Sequence, residues 1–479
     1  MAKKTAAKSP SRPAKTSRRK AKAGEQAPQG AARHSLVIVE SPKKAKSINK
    51  FLGHRYVVKA SMGHVRDLPK RKLGLDVTSG YAPSYEIVPA KKETVGELKR
   101  EAARADSVYL ATDPDREGEA IAWHLQQALE LSERRVRRVT FHEITERAVR
   151  EAFGRAGPIN MDLVAAQQAR RFLDRFVGYQ LSPLLWSKVA RNLSAGRVQS
   201  VAVRLIVDRE REIRAFVSEE YWKITATLSP EGATEPSDRF EAALAEYGGV
   251  KFEAHTEADA QKIRDELASA RYVVSRIDET EKLDKADPPF KTSTLQQQAA
   301  IRLRYSGKRT MKVAQELYEG IDVDGSGPTG LITYMRTDSL RVSEEAVHGV
   351  RDLIKASYGE KYLPPKPIRY AAGKNAQEAH EAIRPTDLKL SPEKIKGHLS
   401  HDQFRLYQLI YWRFVASQMA PAVFTVTDVA ITAGSGLFKA QGKILMFDGH
   451  KRIWPPGGKQ DDELLPPLSV GQTLDLLDL

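Results

Sequence analysis

At 479 residues, 41% of them hydrophobic and none of them cysteine, the chain is long enough for several cores and can hold neither a disulfide nor a thiolate zinc site. No run of about 18 apolar residues occurs and no signal-peptide pattern opens the chain, so a helical membrane span and secretion are not indicated and a soluble cytoplasmic protein is expected. The net charge of +16 is uneven: in residues 1–33 ten Lys and Arg against the single acid Glu25 give +9, leaving +7 for the other 446 residues.

Residues 1–33 are rich in Ala, Ser, Pro and Lys and have too little apolar surface to offset their ordering entropy, so they read as a disordered basic arm. Such an arm attracts phosphates with counterion release, or serves as a solubilising tail. Order begins at Ser35-Leu-Val-Ile-Val-Glu40, an apolar run of the kind found in buried parallel strands. Pro42 suits a first helical turn, and Ala45, Ile48 and Leu52 continue at helical spacing up to Gly53. A second strand, Ser107–Thr112, runs into Asp113-Pro-Asp-Arg-Glu-Gly-Glu119, after which Ile121, Ala122, Leu125 and Leu129 mark a helix face. Strands alternating with helices predict an α/β domain over 34–157.

Residues 158–217 read as helical and arginine-rich, suited to the wall of a nucleic-acid groove. From Tyr221 the period changes to two: Trp222, Ile224, Ala226 and Leu228 alternate with polar residues, as they do at Tyr272–Ile277 and again at Val423–Ile431. The economical reading is a single β-rich domain from 218–291 and 416–479, carrying a helical insertion over 292–415. The chain stops within the apolar pattern Gly471–Leu479, which reads as a fragment. The fold class expected is multidomain: α/β, then α, then β with an inserted helical domain.

The chemistry starts with acids. Asp113 and Asp115, then Glu117 and Glu119, follow a strand, so their carboxylates leave the carboxyl end of a sheet, where open α/β folds bind ligands. Glu40 ends the other apolar strand and faces them if the two strands are neighbours. Oxygen donors of this kind suit Mg²⁺ beside phosphate, although a lone D-x-D is weak evidence, since acids in a first helical turn often serve the helix dipole. In Gly330-Leu-Ile-Thr-Tyr334-Met-Arg336-Thr-Asp-Ser339 a short strand passes into a turn, and period two puts Ile332, Tyr334 and Arg336 on one face. A phenol with a pKa near 10 is a poor nucleophile. An adjacent guanidinium favours its ionised form and counters charge that builds on an attacked phosphate.

Val-Ile-Val-Glu40-Ser-Pro-Lys-Lys44 together with Ala-Thr-Asp113-Pro-Asp-Arg-Glu-Gly-Glu-Ala-Ile-Ala-Trp-His124 resembles a Toprim domain, the Mg²⁺-binding module of topoisomerases and some primases and nucleases. With G-L-I-T-Y-M-R-T-D-S added, the chain from residue 35 to its end resembles the bacterial type IA DNA topoisomerases. The resemblance implies Tyr334 as nucleophile, Arg336 as its phosphate-stabilising neighbour, Lys44 beside the scissile phosphate and His380, from Ala376-Gln-Glu-Ala-His380-Glu-Ala-Ile-Arg384, near both. It implies Asp113, Asp115 and Glu117 as Mg²⁺ ligands, with Glu40 assisting proton transfer and near the metal. His64, Arg170, Arg171, Asp174, Arg197, Gln199, Thr333 and Arg384 fall in further matching motifs and are expected to contact DNA.

The activity so implied is ATP-independent breakage, passage and rejoining of single-stranded DNA through a 5′-phosphotyrosyl link, relaxing negatively supercoiled DNA. The implied protein is a monomer associated with the nucleoid. Family members continue past this chain's last residue with more of the helical gate and often with cysteine-ligated zinc modules. Two rival readings remain: a Toprim nuclease or primase with no use for Tyr334, and a DNA-binding fragment without activity.

Overall fold

The structure, a computed structural model, describes residues 34–325, 327–370, 380–455 and 464–479. The basic arm and positions 376–379 of the histidine motif lie outside the described residues.

The strand Ser35–Val39 lies between Tyr56–Ala60 and Ser107–Leu110, and Val136–Arg138 adds at the far side, all four parallel. The two apolar runs are therefore neighbours, with Ile38 opposite Leu110, and the segments holding Glu40 and Asp113 leave the same end of the sheet. Successive side chains of a strand face opposite ways, so this one run organises two cores. Leu36 and Ile38 pack with Leu98, Val108, Ile121 and Leu125 inside the α/β unit. Val37 and Val39 join Ile48, Phe51, Phe141 and Ile144 in a core that also takes in Leu317, Tyr318, Leu331 and Tyr334 from the later helical stretch. Each fully buried aliphatic side chain contributes about 1.5–3 kcal/mol, so the α/β unit and the tyrosine-bearing stretch are held together chiefly by apolar packing.

Local signals fix the helix starts around the site. Ser41 caps the helix Pro42–Leu52 by accepting from the Lys44 amide at 3.3 Å, with Pro42 in the first turn and Gly53, at φ 74°, ending it. Asp115 caps the helix Arg116–Ala128, its Oδ1 accepting from the Gly118 amide at 2.8 Å.

Residues 158–217 supply two long helices, Met161–Lys188 and Arg197–Ala215. The first packs on the Arg116–Ala128 helix. The second buries none of its residues and leaves Val201, Leu205 and Ile206 exposed.

The period-two segments meet in one seven-stranded sheet. Thr225–Pro230, Phe240–Tyr247, Val250–Lys251 and Tyr272–Asp284 come from before the helical stretch, and Ala422–Ala433, Gly436–Phe447 and Thr473–Asp478 from after it. Phe240–Tyr247 pairs with both Gly436–Phe447 and Thr225–Pro230, which closes the sheet into a barrel around Ala226, Leu228, Val274, Val429 and Ile431. The first strand starts at Thr225 rather than Tyr221, and Trp222 makes only an isolated bridge to Ala254. Conversely, Tyr272–Asp284 outruns its apolar alternation because Ala422–Ala433 pairs with it along its whole length.

The inserted stretch holds the helices Thr292–Leu303, Gly307–Glu319, Glu344–Tyr358 and His401–Ala416. Among the described residues no helix is long and apolar enough to cross a membrane.

Candidate active site

At the carboxyl end of the parallel sheet, Glu40 Oε1 accepts from the Asp113 amide at 2.9 Å. Lys44, almost wholly buried, reaches between these acids, with Nζ 2.5 Å from Asp113 Oδ1 and 3.4 Å from Glu40 Oε2. Burial opposes the Lys44 charge, but Asp113 and Glu40 outweigh it and hold the ammonium above its ordinary pKa. Burial, with Glu40 adding to it against the pull of Lys44, pushes the Asp113 carboxyl up to about 6. Glu117 points the other way, facing His64 Nε2 at 3.4 Å and accepting from Gln167 Nε2 at 3.1 Å, and His64 foremost holds its carboxyl low.

The shape of this acidic loop depends on Gly118 and Arg138. A Cβ at Gly118 would lie 2.2 Å from the Asp113 carbonyl oxygen, so only glycine lets the loop fold back onto the helix start. Arg138 is buried, donating to Glu119 at 2.7 Å and to the carbonyls of Leu110, Thr112 and Asp113, which pins the end of the strand. In the sequence it is one of four arginines over 134–138, and nothing there marks it as the buried one.

Into this end of the sheet comes Tyr334. Its hydroxyl donates to Asp115 Oδ2 at 2.6 Å, and the residue is 1% exposed. The ring stacks on His380, with centroids 5.9 Å apart and planes at 27°, and meets Tyr318 edge-on at 5.2 Å. Lys44 Nζ lies 5.5 Å over the Tyr318 ring. Burial lowers the His380 imidazole, with Asp115 and Asp338 opposing.

Two expectations for this segment need correction. Leu331, Ile332, Thr333, Tyr334 and Met335 are all buried, and a bend at Met335–Arg336 turns Arg336 out to solvent, so Ile332, Tyr334 and Arg336 do not share one face. The cause is that both backbone edges are used. Tyr334 and Gly330 donate to the carbonyls of His142 and Ile144 at 2.8 and 2.9 Å, while Thr333 donates to the Arg384 carbonyl at 2.9 Å. Secondly, the phenol is not activated by its neighbour in this arrangement. Burial above all, then Asp113 and Asp115, raise its pKa far above the ordinary value, and Arg336, though pulling it down, is outweighed.

The residues matched to DNA-contact motifs fall into three places. His64, Arg170, Arg171 and Asp174 line a 340 Å³ cavity with Glu117 and Gln167, adjoining the acidic loop. Arg171 clamps Asp67 at 3.0 and 2.6 Å, and Arg197 clamps Asp174 at 2.6 and 2.8 Å. Gln199 is exposed at the start of the next helix. Thr333 and Arg384 lie elsewhere, buried behind Tyr334. Arg384 contacts Glu381 at 3.0 Å and Glu143 at 3.3 Å.

The donor set of Glu40, Asp113, Asp115 and Glu117 is all oxygen, which suits a hard cation such as Mg²⁺. Among the described residues no three His, Cys, Asp or Glu side chains stand close enough to hold an ion by themselves. That still fits Mg²⁺, which keeps several waters and is commonly bound by one or two carboxylates together with substrate phosphate.

Tyr318, His142 and Glu143 complete the surroundings of Tyr334 without having been singled out in the sequence. Tyr318 occupies an apolar helical position beside Ala314 and Leu317, where it reads as core. His142 and Glu143 lie in a segment whose importance comes from distant partners, Tyr334 and Arg384.

A family model described as DNA topoisomerase matches residues 158–479, and one described as Toprim domain matches residues 35–144. DNA topoisomerase 1 of Vibrio cholerae is 46% identical over 482 residues, covering 93% of this chain and 53% of the relative. That of Pseudomonas aeruginosa is 46% identical over 480 residues, covering 93% and 54%. The solved structure of full-length topoisomerase I from Thermotoga maritima is similar, with a TM-score of 0.77 at 38% identity over 92% of this chain and 70% of that one. The chain thus spans about half the length of the curated relatives it matches.

Proposed function

The chain belongs to the bacterial type IA DNA topoisomerase family, and from that premise we propose that it cuts and rejoins single-stranded DNA through Tyr334, relaxing negatively supercoiled DNA without ATP. The observation that supports this reading is the hydrogen bond from the Tyr334 hydroxyl to Asp115 in the acidic loop.

In the proposed reaction the Tyr334 oxygen attacks a backbone phosphorus, forming an O–P bond as the bond from phosphorus to the 3′ oxygen breaks. Asp115 Oδ2, already accepting from that hydroxyl, is the atom positioned to receive its proton. Glu40 helps to protonate the departing 3′ oxygen, leaving a free 3′-hydroxyl and a 5′-phosphotyrosyl link. Lys44 and Arg336 counter the phosphate charge, and His380 orients the phenol ring. Resealing is the reverse step, and because the link keeps the energy of the phosphodiester no ATP is needed.

Asp113, Asp115, Glu117 and Glu40 would supply carboxylates for Mg²⁺, one or two of them at a time together with waters and substrate phosphate, and the ion when bound would supply positive charge next to the phosphate of the broken end. The strand reaches the site along the arginine-bearing helices over 158–217, past His64, Arg170, Arg171, Asp174, Arg197 and Gln199, and Thr333 and Arg384, buried behind Tyr334 in the closed arrangement, meet it only once the seam opens. Passage requires the 292–415 domain to swing from the 34–157 domain, the barrel from 218–291 and 416–479 acting as hinge.

End-labelled single strands test this directly. After denaturation, label placed at the 3′ end is expected to remain on the protein and label at the 5′ end to be released. Protein-bound 5′ label contradicts the polarity. Cleavage without any adduct points to a Toprim nuclease, and salt-sensitive binding without cleavage to a DNA-binding fragment.

A further inference from the structure

The seam between the α/β unit and the tyrosine-bearing stretch is mostly apolar, but a buried ion pair also crosses it. Glu143, in the segment that follows the parallel sheet, pairs with Arg384, whose carbonyl holds Thr333 next to Tyr334. The two side chains are 10% and 8% exposed. Arg384 is also held from its own side by Glu381 at 3.0 Å and Ser343 at 3.4 Å. Nearby, Arg147 and Glu345 make a second cross-seam pair at 2.9 Å, but both are more than half exposed.

Two cavities, of 760 and 460 Å³, flank this spot, and Glu143, Arg147, Ser343, Glu345 and Arg384 line both. The buried pair is therefore a bridge standing between two openings rather than part of a dense core. Breaking a buried ion pair inside a closed protein strands a charge. When the whole seam parts, water entering from the cavities rehydrates both ions, and the desolvation cost of pairing is returned. A pair of this kind resists partial loosening of Tyr334 yet adds little to the cost of full separation.

We propose that Glu143 and Arg384 are the latch of this seam, positioning residues that keep Tyr334 on the acidic loop until the two units separate as a whole. This gives Arg384 a part that the motif resemblance does not assign. It rests on the proposed strand-passage reading, which requires the seam to open.

The chain has no cysteine, so one introduced thiol reports opening without ambiguity. Ile144 is fully buried and its carbonyl accepts from Gly330 across the seam. In Ile144→Cys the rate of reaction with a disulfide reagent follows the open population. With Glu143→Gln added, the rate is expected to rise at least tenfold, with Glu143→Asp to rise much less, and with Arg147→Gln to change less than twofold. With Arg384→Gln already present, Glu143→Gln is expected to add nothing further. A thiol at Val274→Cys, inside the barrel, reports general unfolding and should react no faster. An unchanged rate at Ile144→Cys overturns the latch, as does equal acceleration at both thiols. No DNA is involved, so a wild-type chain that formed no covalent adduct would sink the strand-cutting reading without deciding this one.

Discussion

The phenol of Tyr334 and the carboxylate of Asp115 are 219 residues apart in sequence and 2.6 Å apart in space. Asp115 is fixed twice, by this bond and by capping the Arg116–Ala128 helix through the Gly118 amide. The nucleophile proposed here is thus registered against a helix start rather than left to a mobile loop. Held this way it stays protonated, and Arg336 is the positive charge acting against burial and the two aspartates. Arg336→Ala is expected to slow adduct formation by about 100- to 1,000-fold, the usual cost of removing a donor that stabilises an oxyanion. Arg336→Lys should recover little of this, because an ammonium lacks the guanidinium's two-pronged geometry. Single-turnover cleavage of an oligonucleotide measures it, and a change of less than threefold would remove Arg336 from the mechanism.

Divalent metal is expected to bind at the acidic loop. Mn²⁺, a spectroscopic stand-in for Mg²⁺, should bind at least tenfold more weakly to Asp113→Asn or Glu117→Gln in electron paramagnetic resonance titrations. Unaltered Mn²⁺ affinity in both variants would place the ion elsewhere.

Gly118→Ala puts a methyl group where the Asp113 carbonyl already lies. Overpacking against backbone costs about 1–3 kcal/mol, so a lower melting temperature and weaker Mn²⁺ binding are expected together. A variant as stable as the wild type, with intact metal affinity, would show that the loop has another conformation available.

How much of this was legible in the sequence differs from residue to residue. The two apolar runs were legible because parallel strands announce themselves as unbroken apolar stretches, and Glu40 meets Asp113 because the fold makes those strands neighbours. Three of the barrel's strands, those over 225–230, 272–284 and 422–433, were legible through period two. Tyr334 was legible only through its motif. Its burial was not, because the groups that cover it, His142 on one edge and Arg384 on the other, are distant in the chain. The same distance hid Tyr318 and Glu143, which look like ordinary core and surface residues until the fold brings them to the seam. Arg336 shows the converse: period two implied a shared face, and a local bend overrode it.

Acid should weaken the α/β unit through His124. Burial above all, then His64 and Arg66, push this imidazole down to about 3 from its ordinary value of 6.5. The unfolded chain therefore takes up a proton as the pH falls below 6.5 while the folded one does not. The stability linked to this group is full above that pH and is lost progressively toward pH 3, by on the order of 3 kcal/mol at pH 4. His124→Gln is expected to flatten the melting temperature between pH 7 and pH 4 by that share; an unchanged slope would assign the acid sensitivity to other groups.

Arg171→Ala should weaken single-strand binding whatever the sequence and make the logarithmic salt dependence shallower by about 0.7, one phosphate contact. Since Arg171 holds Asp67 in the free protein, the Asp67→Asn variant, which frees it, is expected to bind at least as tightly as the wild type. Salt slopes that match the wild type in Arg171→Ala would take this cavity out of the DNA path.

The most direct measurement is the identity of the residue that carries DNA. Adducts trapped with denaturant on a single-stranded oligonucleotide, digested with protease and sequenced by mass spectrometry, should carry nucleotide on the peptide containing Tyr334, and Tyr334→Phe should yield none. Nucleotide on any other side chain, or an undiminished adduct in Tyr334→Phe, would contradict the account.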